Sequence, residues 1–164
     1  NFDVMLLDIS LPDRNGIEIL KQIKKDKPDL AVLMLSMHNE HEFAIRALKA
    51  GAAGYLNKQS APAQLVTAIR QVAKGDKYVS PAVAQELANI INTDSDKPLH
   101  TTLSDREYQT LCFIAAGKTL SEISSEMFLS PKTVSVYRAR LLEKLKLTNN
   151  SELIRYAIKN KLVD

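Results

Sequence analysis

The chain has 164 residues, 45% of them hydrophobic and 25% charged, which leaves room for one or two small domains of ordinary soluble composition. Wholesale disorder and collagen-like repeats are excluded, and no apolar run approaches the ~20 residues that cross a bilayer. The net charge of +3 lies wholly in the C-terminal part: residues 1–98 carry 12 basic and 12 acidic side chains, residues 99–164 carry 10 and 7.

The N-terminal part alternates strand and helix signals. Val4–Leu7 is an apolar run ending at Asp8, and Ile17, Leu20, Ile23 and Lys24 follow at helical spacing. Ala31–Leu35 is a second run, ending at Ser36; Phe43, Ala44, Ala47 and Leu48 repeat helically until Gly51. Gly54–Leu56 is a third short strand, ending at Lys58, and Leu65, Ala68, Ile69 and Val72 form a helix closed by Gly75. Apolar strands separated by helices predict a parallel sheet covered on both faces. Asn92–Thr102 is polar and aperiodic, and reads as a linker.

Beyond it every signal is helical. Ser104 and Glu107 have capping-box spacing ahead of Tyr108, Leu111, Cys112 and Ala115, and Gly117 stops that helix. Leu120–Met127 follows, and then Ser130-Pro131 supplies an N-cap and a first-turn proline for a helix running to about Leu145. Asn150 is expected to cap a last helix through Ile158. The tight connection at Phe128–Ser130 predicts a helix-turn-helix unit. Cys112 is the only cysteine, so an intrachain disulfide and a cysteine-built zinc site are excluded. Asn1-Phe2-Asp3 lacks the basic flank of a signal peptide, and a cytoplasmic protein is expected.

Three strand ends therefore present Asp8, Ser36 and Lys58 to one rim, where open α/β sheets bind ligands. A carboxylate can attack phosphorus, a hydroxyl can bond a phosphoryl oxygen and an ammonium can neutralise another. A phosphatase of the haloacid-dehalogenase type would need a second acid two residues after the nucleophile, and Ser10 stands there. An enzyme is accordingly not expected.

The run LLDISLPDRNG at Leu6–Gly16 resembles the phosphorylation-site segment of two-component receiver domains, with Leu33–Ser36 and Gly54–Lys58 resembling the later strand motifs. The resemblance implies a flavodoxin-like receiver over residues 1–78 and Asp8 as phospho-acceptor. It implies Ser36, Tyr55 and Lys58 as the phosphoryl switch, and Ser10 and His38 as the positions that tune phosphate lifetime. Receivers use Mg²⁺, held in part by an acidic pair at the end of an earlier strand. Asp8 is the only member of that set found here, so the two preceding strand–helix units are expected to be missing and Val4–Leu7 to be an edge strand. Gln59 stands where many receivers have proline.

Residues 103–164 resemble the four-helix LuxR-type DNA-binding domain, on Leu103–Glu107, Gly117–Ile123, Leu129–Val134 and Leu145–Leu147; residues 79–102 would be a connecting helix and linker. Together the two resemble the NarL/FixJ class of response regulators. On a helical wheel Val134, Leu141 and Leu145 form the core stripe, and Lys132, Val136, Ala139 and Arg140 lie opposite with Ser135 at their flank, a surface suited to the major groove. Thr133, Tyr137 and Lys144 are better placed for backbone phosphates, and Arg138 lies nearer the core. The implied partners are promoter DNA, a sensor histidine kinase and a second copy of the chain, for which Leu153, Ile154 and Tyr156 are candidates; no membrane is implied. The alternative is a phosphate-independent DNA-binding regulator whose incomplete receiver is a dimerisation or scaffold module.

Overall fold

In a computed structural model, residues 2–11, 14–37, 41–59, 61–92 and 97–163 are described. The chain divides into two compact units, one ending at Asn92 and the other following it.

The first unit is built on three parallel strands, β1 (Val4–Asp8), β2 (Ala31–Ser36) and β3 (Gly54–Asn57), in the order β1-β2-β3. Leu6 pairs with Leu33 and Leu33 with Gly54, so the apolar runs stand level across the sheet. Alternate residues point to opposite faces. Leu33 and Leu35 pack with Leu56 against Ala68, Leu65 and Ile69 of α3 (Ala61–Ala73), while Val32 and Met34 are buried towards α1 (Gly16–Asp26) and α2 (His41–Lys49). Each fully buried Val, Leu or Met contributes about 1.5–3 kcal/mol. Among the described residues β1 pairs only with β2, the expected edge.

After α3 the chain returns beside β3. Tyr78 donates its N–H to the Ala53 carbonyl at 3.0 Å and accepts from Tyr55 N–H at 3.1 Å. Gly54 makes this possible, because a Cβ there would stand 2.7 Å from the Tyr78 carbonyl oxygen. Ser80 then caps α4 (Pro81–Asn92), which buries Val83 and joins Glu86 to His41 of α2 at 3.0 Å. The connecting helix thus packs with the first unit. On α2, burial pushes the Glu42 carboxyl up from its ordinary value although Arg46 lies 2.8 Å away. No cis peptide occurs among the described residues, so the chain passes from Lys58 into Gln59 through a trans bond.

The second unit opens with a 3₁₀ turn, Leu99–Thr102, inside the stretch read from sequence as aperiodic; Pro98 precedes it, and Thr101 and Thr102 bond back to the Pro98 and Leu99 carbonyls. Four helices follow: α5 (Asp105–Ala115), α6 (Leu120–Met127), α7 (Pro131–Leu145) and α8 (Asn150–Lys159). Reciprocal capping boxes at Ser104/Glu107 and Thr119/Glu122 start α5 and α6, and the Ser130 hydroxyl caps α7. Phe128, at φ 53°, reverses the chain between α6 and α7. Tyr108, Leu111, Ile123, Val134, Leu141 and Leu153 are completely buried between the helices.

Candidate phosphorylation site and DNA-binding surface

The β1–α1 connection seats Asp8. Gly16 N–H donates to the Ile9 carbonyl at 2.8 Å, Ser10 bridges to Asn15, and the buried Asn15 side chain caps α1 by accepting from Ile17 N–H at 2.8 Å. The turn is so close that a Cβ on residue 16 would fall 2.1 Å from the Asp8 carbonyl oxygen, a space only glycine leaves open. One Asp8 carboxylate oxygen accepts the Ser10 N–H at 3.0 Å and the other is held by the Lys58 ammonium. Lys58 is brought there by its backbone, whose N–H donates to the Ser36 carbonyl at 2.7 Å. Ser36 itself is buried at the end of β2, level with Asn57. Tyr55 is buried in β3 and lines a cavity of about 300 Å³ with His41, Gln64, Tyr78, Ser80 and Val83.

Asp8, Ser10 and Lys58 are therefore in contact, and Ser36 and Tyr55 stand on the two adjoining strands. His38 lies outside the described residues. A carboxylate oriented by one N–H and one ammonium can serve as a nucleophile whose product, an acyl phosphate, faces a cation. Mg²⁺ prefers six oxygen ligands in octahedral array. Among the described residues no three of His, Cys, Asp and Glu group to hold a metal, and both Asp8 oxygens are already bonded. These residues do not by themselves fit Mg²⁺.

On α7, Val134, Leu141 and Leu145 are buried against α5 and α6, and Lys132, Ser135, Val136, Ala139 and Arg140 are exposed together on the opposite side. Four of the five lie on the stripe of the wheel away from the core, with small side chains between the cations. Thr133 and Tyr137 are half-buried at its borders, the Thr133 hydroxyl 2.9 Å from that of Ser130. Arg138 turns to α8 and donates to the Asn150 side-chain oxygen at 2.7 Å.

Several sequence expectations change here. Lys144 was expected to face DNA phosphates. Its ammonium instead lies 2.7 Å from the buried Glu107 carboxylate and 3.4 Å from the Thr102 carbonyl oxygen, so a phosphate would have to compete with that pair. Burial alone would raise Glu107; the Lys144 ammonium and the capping bonds to Ser104 outweigh it and hold the carboxyl below its ordinary value. The cap of α8 is Asn149, which accepts from Glu152 N–H, because Asn150 is engaged with Arg138. Leu153 is buried in the domain core and Tyr156 is bonded to His100, which leaves only the half-buried Ile154 of the three interface candidates less committed to the domain interior. The receiver-like run of the sequence includes Asn15 and Gly16 without giving either a role; an Asn immediately followed by Gly at a helix start is their signal.

Residues 1–70 match the response regulator receiver domain, and residues 101–157 match the bacterial regulatory proteins of the luxR family. The response regulator UvrY of Escherichia coli (strain K12) is 38% identical over 161 residues, covering 98% of this chain and 74% of UvrY. The response regulator GacA of Pseudomonas aeruginosa is 38% identical over 164 residues, covering 99% of this chain and 76% of GacA. A structure of RcsB from Salmonella typhimurium superposes with a TM-score of 0.65 at 28% identity, covering 95% of this chain and 73% of that one. RcsB from Salmonella enterica serovar Typhimurium bound to promoter P1flhDC, in the presence of phosphomimetic BeF3-, gives 0.61 at 28% identity, covering 95% and 75%. With both domains matched and curated relatives aligned along nearly its whole length, the chain belongs to the NarL/FixJ class of two-component response regulators, in which a receiver domain is joined to a LuxR-type helix-turn-helix domain that binds DNA and regulates transcription.

Proposed function

We propose that Asp8 is the residue this regulator phosphorylates and that α7 reads the promoter. The seat of Asp8 carries the first part: Lys58 on one carboxylate oxygen and Ser10 N–H on the other fix its orientation at the carboxyl edge of a parallel sheet. A carboxylate oxygen attacks the donor's phosphorus and the leaving group departs, which gives a dianion against the Lys58 ammonium. Ser36 follows the new phosphoryl oxygens, Tyr55 moves into the space that this leaves, and Ser10 and His38 govern access of water. The added charge biases a two-state equilibrium in the receiver. The exposed face of Lys132, Ser135, Val136, Ala139 and Arg140 supports entry of α7 into the major groove, with Thr133 and Tyr137 towards the backbone. A sensor histidine kinase is the donor, a cytoplasmic setting suits that partnership, and the regulator works on DNA as a homodimer rather than as an enzyme with a substrate of its own.

The test treats the regulator with the receiver's acidic pair present, not these residues alone, with acetyl phosphate and Mg²⁺, locates the adduct by mass spectrometry and titrates a specific duplex. An adduct on Asp8 alone with tighter binding is expected, both absent in Asp8→Asn while basal binding remains. An adduct elsewhere overturns the assignment. Binding indifferent to an Asp8 adduct would make the α/β unit a scaffold.

A further inference from the structure

Phe128 stands where α6 hands over to α7, in the left-handed region at φ 53°, and its side chain is 63% exposed. A Cβ crowds the backbone in that region, so glycine is the usual residue at such a helix end, as Gly117 is after α5 at φ 82°. Lys146 and Lys161 also have positive φ, but each is exposed and carries an ammonium suited to water. Phe128 instead combines a strained backbone with an apolar ring held out in solvent. The turn closes without that ring. Leu129 N–H donates to the Ser124 carbonyl at 3.0 Å, Met127 is buried and Leu129 is half-buried, so the anchors lie on either side of Phe128. Strain kept in place with little gained in the core points to a use at the surface.

Ser130, two residues on, is the N-cap of α7, which places the Phe128 Cα within about 7 Å of that end of the helix. In helix-turn-helix domains the N-terminal residues of the second helix meet the bases, and the sugar–phosphate backbone borders a groove about 12 Å wide. On the reading that α7 enters the major groove, we propose that the Phe128 ring is a DNA contact, lying against the deoxyribose–phosphate backbone at the groove's edge. Phe128 leads directly into the helix that exposes Lys132 and Arg140, which favours a polyanion over a protein as the partner. A phenyl ring carries no charge and offers no hydrogen bond to a base edge. Its match is the carbon-rich face of deoxyribose, which is the same whatever the base. The contact adds affinity without reading sequence, and it displaces no counterion, unlike a lysine on a phosphate.

Phe128→Gly, Phe128→Leu and Lys132→Ala in the whole chain, compared with the unsubstituted chain, test this. Each is melted, and each is titrated against an A·T-rich and a G·C-rich duplex at several salt concentrations. Phe128→Gly should melt no lower than the unsubstituted chain, because glycine adopts φ 53° freely. It should nevertheless bind both duplexes about tenfold more weakly, with the salt slope unchanged. Phe128→Leu keeps apolar bulk and should recover part of the loss. Full-strength binding by Phe128→Gly beside a weakened Lys132→Ala overturns the proposal and leaves α7 as the helix that enters DNA. If neither variant is weakened, α7 does not face DNA and both readings fall. A Phe128→Gly variant that melts lower in step with its weaker binding makes the ring a packing group, and a loss on only one duplex makes it a base contact; either result overturns the backbone contact. So does unchanged DNA binding with lost transcription, which would assign the ring to a protein partner.

Discussion

Replacing Lys144 by Met tests whether this side chain serves the domain interior more than DNA. Met keeps most of the stem and removes the ammonium that lies 2.7 Å from Glu107 Oε2. Breaking a fully buried ion pair costs about 3–5 kcal/mol, and an exposed pair is worth about 0–1 kcal/mol. The pair here is mixed: the Glu107 side chain is 4% exposed and that of Lys144 40%. Water screens the ammonium, and Glu107 keeps its bond from the Ser104 N–H. The expected cost at neutral pH is about 1–2 kcal/mol, each kcal/mol lowering the Tm of a domain this small by about 4–8 °C. The sign of the pH dependence follows from the lowered Glu107 carboxyl. A carboxyl that is more acidic in the folded state stabilises it above the unfolded value, and that stability is lost as pH falls through the folded value. The gap between the unsubstituted chain and Lys144→Met should therefore be full at neutral pH and close as pH falls below about 4.5 and through the lower folded value of Glu107. Thermal unfolding followed by circular dichroism across that range measures it, and Glu107→Gln with the double variant isolates the coupling. A gap unchanged at low pH, or strictly additive single variants, would refute the reasoning.

Two further outcomes follow from the two sites. Gly16→Ala forces the Asp8–Gly16 turn apart, since its Cβ would lie 2.1 Å from the Asp8 carbonyl oxygen; a loss of about 1–3 kcal/mol and slower acetyl-phosphate labelling are expected, and denaturant melts with intact-mass kinetics would show both. Lys132→Ala should weaken binding to all duplexes and lower the salt slope by about one, whereas Val136→Ala should alter discrimination between sites by about 1–3 kcal/mol; titrations at several salt concentrations separate the two, and identical profiles would mean that α7 enters DNA by another face.

What could be read from the sequence was local physics. Ser104 with Glu107 three residues on, Ser130 before Pro131, and apolar runs that end at Asp8, Ser36 and Lys58 each act within a turn or along one strand, where neighbours in the chain are neighbours in space. The exposed face of α7 was equally legible, because a helix fixes the angle between its residues regardless of what covers it. Partnerships across the chain were a different matter. Lys144 on the wheel is simply a cation near a basic surface; only the packing of α5 against α7 brings it to Glu107, 37 residues away. Asn149 and Asn150 are equally good caps by composition, and the choice fell to Asn149 because the approach of α7 gives Arg138 the other one. His100 stands in a stretch with no period at all, and its burial against Tyr156 depends on where α8 lies. Side-chain pairing between distant elements is set by how their surfaces fit, a property of the assembled core that no window of the sequence contains.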